Sequence, residues 1–228
     1  MKQQLALGVR LKDACVFDSF FPGRNQPAVD ALLALKAGEY PTCVYLHGVA
    51  GTGKTHLLQA LCVRWGNSGA ATYLPLAELL GMGTGVLAGC GDLACVCVDD
   101  IEAIAGRRDW EEALFALHGQ LDDHRGHLVV AGATPPAASG IELADLRSRL
   151  GGGLVLTLHS MHDAEQLQAL QLRARLKGFE LPADTVQYLL RRLPRDMASL
   201  CRFLDQLDEA SLVAQRRLTV PFVREVMK

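Results

Sequence analysis

Long apolar runs are absent: nowhere in the 228 residues do eighteen apolar side chains follow one another, the length a membrane-spanning helix needs. Residues 1–11 contain one early lysine and no apolar stretch of signal-peptide length, so the chain is expected to stay in the cytoplasm. An excess of basic charge is absent too. Lys and Arg number 23 against 25 Asp and Glu, a formal charge of -2, which argues against a strong non-specific grip on DNA phosphates. The seven cysteines, at 15, 43, 62, 90, 95, 97 and 201, form no CxxC pair and no Cys/His ladder with zinc spacing. They read as reduced, mostly buried small apolar residues. Cys95 and Cys97 fall on one face of a predicted strand, where core packing is favoured over metal ligation. The seven histidines form no catalytic set, and His159 and His162 read as surface residues at a domain boundary. Repeats and low-complexity tracts are missing. What is present is an ordinary globular composition, 50% hydrophobic and 21% charged, long enough for a medium domain with a small companion.

Short β-like runs recur at residues 42–47, 71–74, 93–98, 127–131 and 154–158, separated by helical patterns or Gly/Pro-rich turns. That alternation predicts a parallel α/β sheet. The run 93–98 is apolar without alternation, as a strand covered by helices on both faces should be. Helices are predicted over 27–36, 54–65 and 110–123. Beyond His159 the strand signal stops. Residues 163–228 are helical in pattern almost throughout, punctuated by Gly178, Pro182, Pro194 and Pro221, which predicts a separate bundle of three or four helices with a boundary near 159–163.

The run 42–47 leads into Gly48-Val-Ala-Gly51-Thr52-Gly53-Lys54-Thr55 and then a helix, satisfying the GxxxxGK[ST] pattern in the strand-loop-helix context it requires. Glycines there let backbone N–H groups turn toward phosphate oxygens, and the helix N-terminus adds a favourable dipole. Lys54 is expected to pair with the β- and γ-phosphates and Thr55 to ligate magnesium, with His56 next along the helix. Asp99 ends the apolar strand, where a carboxylate can hold magnesium through water. Asp100 follows at the position that orients the attacking water. Its reach is shorter than that of Glu, so hydrolysis by this chain alone is expected to be slow.

These residues resemble the AAA+ module of the initiator DnaA, and more closely its short relatives, the Hda family of regulatory inactivators of DnaA, over nearly the whole chain. The resemblance implies an AAA+ domain with a five-stranded parallel sheet at 13–160, a helical lid at 161–228, and ATP or ADP with magnesium as ligands. The segment Phe17-Asp-Ser-Phe20-Phe-Pro-Gly23-Arg-Asn25 is similar to the box that packs around the base, which makes Phe20 and Asn25 nucleotide contacts. Leu146-Arg147-Ser148-Arg149-Leu150-Gly151 is similar to the helix that carries the family's arginine finger, with Arg149 at the finger position, acting in trans. The segments 170–182 and 189–200 are similar to the lid. There the nucleotide-sensing arginine is replaced by Ala198, and either Arg195 or Arg202 substitutes or the contact is lost. The polar sensing position after the fourth strand is Ala133, beside Thr134. A protein that holds nucleotide, ADP among the candidates, as a structural switch fits this pattern better than a fast ATPase.

In the initiator a helix-turn-helix domain follows the lid, whereas this sequence stops at Lys228, so base-specific duplex reading is not expected. Residues 76–92 are short, Gly-rich and almost uncharged where the initiator carries longer basic helices that grip single-stranded DNA, so unwinding is not expected. Gln4-Leu5-Ala6-Leu7-Gly8-Val9 is similar to the peptide by which Hda proteins bind the bacterial sliding clamp. The Gln4 amide would anchor backbone groups while Leu5, Leu7 and Val9 fill an apolar groove. The expectation is an adaptor: residues 1–12 dock on the clamp, DNA is met only through that clamp, and Arg149 stimulates hydrolysis of DnaA-bound ATP. The alternative of a different class is a helicase loader or initiator-like AAA+ ATPase that binds DNA. Self-association through Arg149 and the phosphate loop is compatible with either. No membrane partner is expected.

Overall fold

The computed structural model describes residues 15–39, 43–66, 70–194, 196–214 and 219–227, in two units. The first contains five parallel strands: β1 (Cys43–His47), β2 (Ala71–Pro75), β3 (Cys95–Asp99), β4 (His127–Gly132) and β5 (Leu154–Thr157), in the order β2-β3-β4-β1-β5. Its helices are α1 (Gln26–Ala34), α2 (Lys54–Gly66), the short α3 (Leu76–Leu79), α4 (Arg108–Asp123) and α5 (Ala144–Gly152). Each α/β crossover returns the chain to the same end of the sheet, so every strand finishes at one edge, where an α/β protein places its ligand site.

The strands fall within a residue or two of the sequence expectation. β3 starts at Cys95, two residues late, because the Leu93 amide closes a turn on the Cys90 carbonyl at 3.2 Å. Every residue of β3 and β4 is buried, as their continuous apolar runs require. Cys95 and Cys97 lie among them with their sulfurs 3.9 Å apart. β5 differs: it pairs on one side only, with β1, and Leu154 and Val155 are 43% and 36% exposed. One core unites Tyr45, Leu74, Val98, Trp110, Leu114, Leu146 and Leu150, which ties α4 and α5 to the same sheet.

The second unit is four helices: α6 (Asp163–Leu176), α7 (Ala183–Arg192), α8 (Met197–Ala214) and α9 (Val220–Val226), around Leu170, Val186, Leu189, Leu204, Leu207 and Phe222. Its punctuation is that of the sequence. Gly178 takes φ 86° just beyond α6, Pro182 is the N-cap of α7, and Pro221 opens α9. His162, exposed as expected, caps α6 in a reciprocal box with Glu165. The two units divide between His159 and Ser160, and Asp18–Gly23 groups with the helical unit. Gly23 takes φ 47°, a conformation that L side chains rarely adopt, and a Cβ there would stand 2.8 Å from the Glu165 carboxylate, an approach that sequence periodicity could not reveal.

Candidate nucleotide-binding site

The loop 48–53 leaves the C-terminal end of β1 and enters α2 directly. Gly51 and Gly53 have φ of 82° and 96°, conformations that L side chains rarely adopt. At Gly48 the constraint is proximity, since a Cβ there would run into the Leu158 carbonyl. The Thr52 hydroxyl, buried, donates to the Val49 carbonyl at 3.0 Å and closes the loop. Lys54 brings its ammonium 2.5 Å from the Gly48 carbonyl and 3.2 Å from that of Val49, so its charge sits inside the bend of the loop. The first turn of the 13-residue α2 has no acidic side chain to offset the helix dipole. Cationic lysine, free helix terminus and left-handed glycines are together the chemistry a chain of phosphates requires.

Facing the loop, Asp99 is 2% exposed at the end of β3. One of its oxygens accepts from the Thr55 hydroxyl at 2.6 Å and from the Tyr73 hydroxyl at 2.8 Å, and the other accepts from the Asp100 amide at 3.1 Å. A threonine hydroxyl beside a fixed carboxylate is a donor set that fits magnesium. Burial and the neighbouring Asp99 charge push the Tyr73 phenol far up, so it remains a neutral donor. Sequence reasoning missed Tyr73. Its signal lies in the register: Tyr73 pairs with Cys97 and Pro75 with Asp99, which puts Tyr73 and Asp99 on the same face of adjacent strands.

Asp100 is half-buried with φ 56°, and its carboxyl is raised by burial, then by Asp99 and Glu102, against a lowering from Lys54. At the neighbouring strand end Ala133 offers only its backbone, whose amide lies 3.4 Å from Glu102 Oε2. Glu102, also unforeseen as a neighbour of Ala133, therefore brings a carboxylate to the end of β4. His47, between β1 and the loop, is lowered by burial and then by the Lys54 charge, and meets the Thr157 hydroxyl at 3.0 Å.

The remaining expected contacts are dispersed. Asn25 is buried and exchanges two hydrogen bonds with the His159 backbone, at 3.0 and 2.7 Å. His56 meets the Val16 carbonyl at 2.9 Å. Phe20 is buried in the Asp18–Gly23 segment of the helical unit. Arg202 is exposed and donates to Ser199 at 3.1 Å. Arg195, and Gln4, Leu5, Leu7 and Val9, lie outside the described residues.

Arg149 is on the surface, with its side chain 55% exposed and 3.3 Å from Asp122 at the end of α4. Arg147, two residues earlier, is committed to the Ile141 carbonyl at 2.6 Å. Asp122 in turn raises the Cys43 thiol, pushed by burial first and this carboxylate second to about 12. Cys43 begins β1 and the phosphate loop follows its end, so Arg149 and Lys54 belong to opposite ends of the sheet, a strand length of roughly 13 Å apart or more.

Residues 163–227 match the family described as the Hda lid domain. In structure the chain is similar to domain III of the Thermotoga maritima replication initiation protein DnaA, with a TM-score of 0.78 and 20% identity over 96% of this chain and 97% of that one. It is also similar to AMPPCP-bound DnaA from Aquifex aeolicus (TM-score 0.66, 18% identity, 89% of this chain and 66% of that one). The Thermotoga maritima RuvB Holliday junction branch migration motor shares the fold (TM-score 0.64, 20% identity, 89% of this chain and 68% of that one). At these identities the solved structures establish the fold alone, a five-stranded parallel sheet followed by a helical lid, and among the described residues no helix is long and apolar enough to cross a membrane. Residues 163–227 thus carry an Hda lid domain, in a chain that shares its fold with domain III of a DnaA protein.

Proposed function

We propose that this protein is a cytoplasmic negative regulator of replication initiation that stimulates hydrolysis of ATP bound to the initiator DnaA. The observation that carries the reading is Arg149: an exposed guanidinium at the sheet end opposite to its own phosphate loop cannot reach a phosphate held there and is open to one held by another molecule. Its pairing with Asp122 is solvent-exposed, and such pairs contribute on the order of 0.2–1 kcal/mol, so the arginine exchanges readily onto a partner's phosphate. There its planar fork spreads the charge that builds on the transferring phosphoryl group.

The chain's own site supports a binding role more than rapid turnover. ATP or ADP would be held by the backbone of Gly48, Gly51, Thr52 and Gly53 with Lys54, and magnesium by Thr55 and Asp99; when bound, they supply a fixed charge that orders the loop and α2. Asp100 is a short carboxylate whose ionisation is disfavoured, and Ala133 has no polar side chain to sense a third phosphate. Slow intrinsic hydrolysis follows from both. The family resemblance adds the docking step, in which Gln4, Leu5, Leu7 and Val9 bind the sliding clamp on DNA and bring Arg149 to DnaA.

The test is hydrolysis of DnaA-bound ATP in the presence of clamp-loaded DNA. Arg149→Ala is expected to lower the stimulated rate by at least about a thousandfold, the lower range for an arginine finger. A rate equal to that of the wild type would overturn the reading.

A further inference from the structure

Glu111 is a charged side chain with no solvent exposure, on the first turns of α4. A carboxylate so placed has to be compensated. Its Oε1 accepts from the amides of Gly106 at 2.8 Å and Glu142 at 3.1 Å, and its Oε2 from those of Glu142 at 3.1 Å and Leu143 at 2.7 Å. Gly106 belongs to the turn that follows Asp99 and Asp100. Glu142 and Leu143 are the residues that lead into α5, and Leu143 is its N-cap. The same entry is held from its other side by Arg147, whose guanidinium takes the Ile141 carbonyl.

We propose that Glu111 is a positioning residue for Arg149, an inference that rests on the reading of Arg149 as a group acting in trans. Helices α4 and α5 each connect the C-terminal end of one strand to the N-terminal start of the next, so they run side by side in the same direction. Helix α4 grips α5 at both ends: the Glu111 carboxylate fixes its entry, and Asp122 meets Arg149 near its exit. The two grips differ in kind. The exposed Asp122 pair is released easily, whereas the buried carboxylate with three amide donors is not. When Arg149 leaves Asp122 to reach a partner's phosphate, Glu111 keeps the helix beneath it in place. The orientation of the guanidinium then depends on an interaction at the far end of α5.

Glu111→Gln, which preserves size and removes the charge, tests this. An amide nitrogen turned toward backbone N–H groups loosens the entry without emptying the site. In the DnaA assay with clamp-loaded DNA, the maximal stimulated rate is expected to fall about tenfold. The concentration of this protein giving half-maximal stimulation should stay within about twofold, and its own affinity for ADP should be unchanged. Hydrogen exchange followed by mass spectrometry should speed up across residues 141–144 while β1 and β3 remain protected. A wild-type rate for Glu111→Gln while Arg149→Ala abolishes stimulation would overturn the positioning role and leave the function standing. Full stimulation by Arg149→Ala would overturn both. Unchanged exchange at 141–144 would remove the clamp itself.

Discussion

Tyr73 and Asp99, on adjacent strands, share a 2.8 Å hydrogen bond in which the phenol donates to the carboxylate oxygen that also accepts from Thr55. The carboxylate facing the phosphate loop is thus oriented by a residue outside both nucleotide motifs. Tyr73→Phe leaves a buried charged acceptor with one donor fewer and should destabilise the first unit by about 1.5–3 kcal/mol, the range for hydrogen bonds to charged groups. Chemical denaturation reads the loss. Calorimetry should also show a weaker dependence of nucleotide affinity on magnesium; full retention of both would deny Tyr73 its orienting role.

Lys54→Ala should abolish measurable binding of both ATP and ADP. The ammonium is the charge inside the loop, bonded to the Gly48 and Val49 carbonyls. Titration calorimetry on the intact chain decides it, and retained affinity would refute the phosphate-loop assignment.

Asp100→Asn should raise stability at pH 7. Folding lifts the Asp100 carboxyl above its ordinary value, so the folded state binds the proton more tightly than the unfolded chain. The favourable contribution is complete below the unfolded value of 3.8 and is lost as pH climbs through the raised folded value. Ionised Asp100 is therefore a cost at neutral pH that Asn removes, and Asn also tolerates the left-handed backbone at φ 56°. The gain in melting temperature over wild type should shrink as the pH is taken below the ordinary carboxylate range; a gain constant with pH would contradict the electrostatic account.

Asp122→Asn should leave stimulation of DnaA intact, because its pair with Arg149 is exposed; the same oxygen also meets Nδ1 of the buried His118 at 3.2 Å, so any loss of stability belongs to that contact. Arg149→Lys should fail almost as completely as Arg149→Ala, since a point charge does not reproduce the planar fork. Rates from the two substitutions separate a role for charge alone from a role for geometry.

Changing Gln4 and Leu7 to Ala should abolish clamp binding in surface plasmon resonance, and with it clamp-dependent stimulation, while ADP affinity stays at the wild-type value. A helicase loader would keep its activity under the same change.

The phosphate loop was legible because its chemistry is local: glycine torsions, a lysine and a helix start lie within eight consecutive residues. The apolar run before Asp99 and the glycine and proline stops of the lid were legible for the same reason. Tyr73, Glu102 and Glu111 were not. Each acts on a group 26 to 32 positions away in sequence, across a strand register or a helix packing that no periodicity encodes. The grouping of Asp18–Gly23 with the helical unit escaped too, because a short Phe- and Gly-containing stretch looks the same whichever core it joins.

By itself, then, the sequence determined the elements and the chemistry packed into contiguous motifs, since backbone torsion, apolar periodicity and helix termination are set by near neighbours. Only the tertiary structure decided that Arg149 and Lys54 stand at opposite ends of one sheet and that a buried carboxylate from α4 secures the entry to α5. Those relations arise when parallel strands and their crossover helices pack together, which brings distant segments within hydrogen-bonding range and sets others a strand length apart.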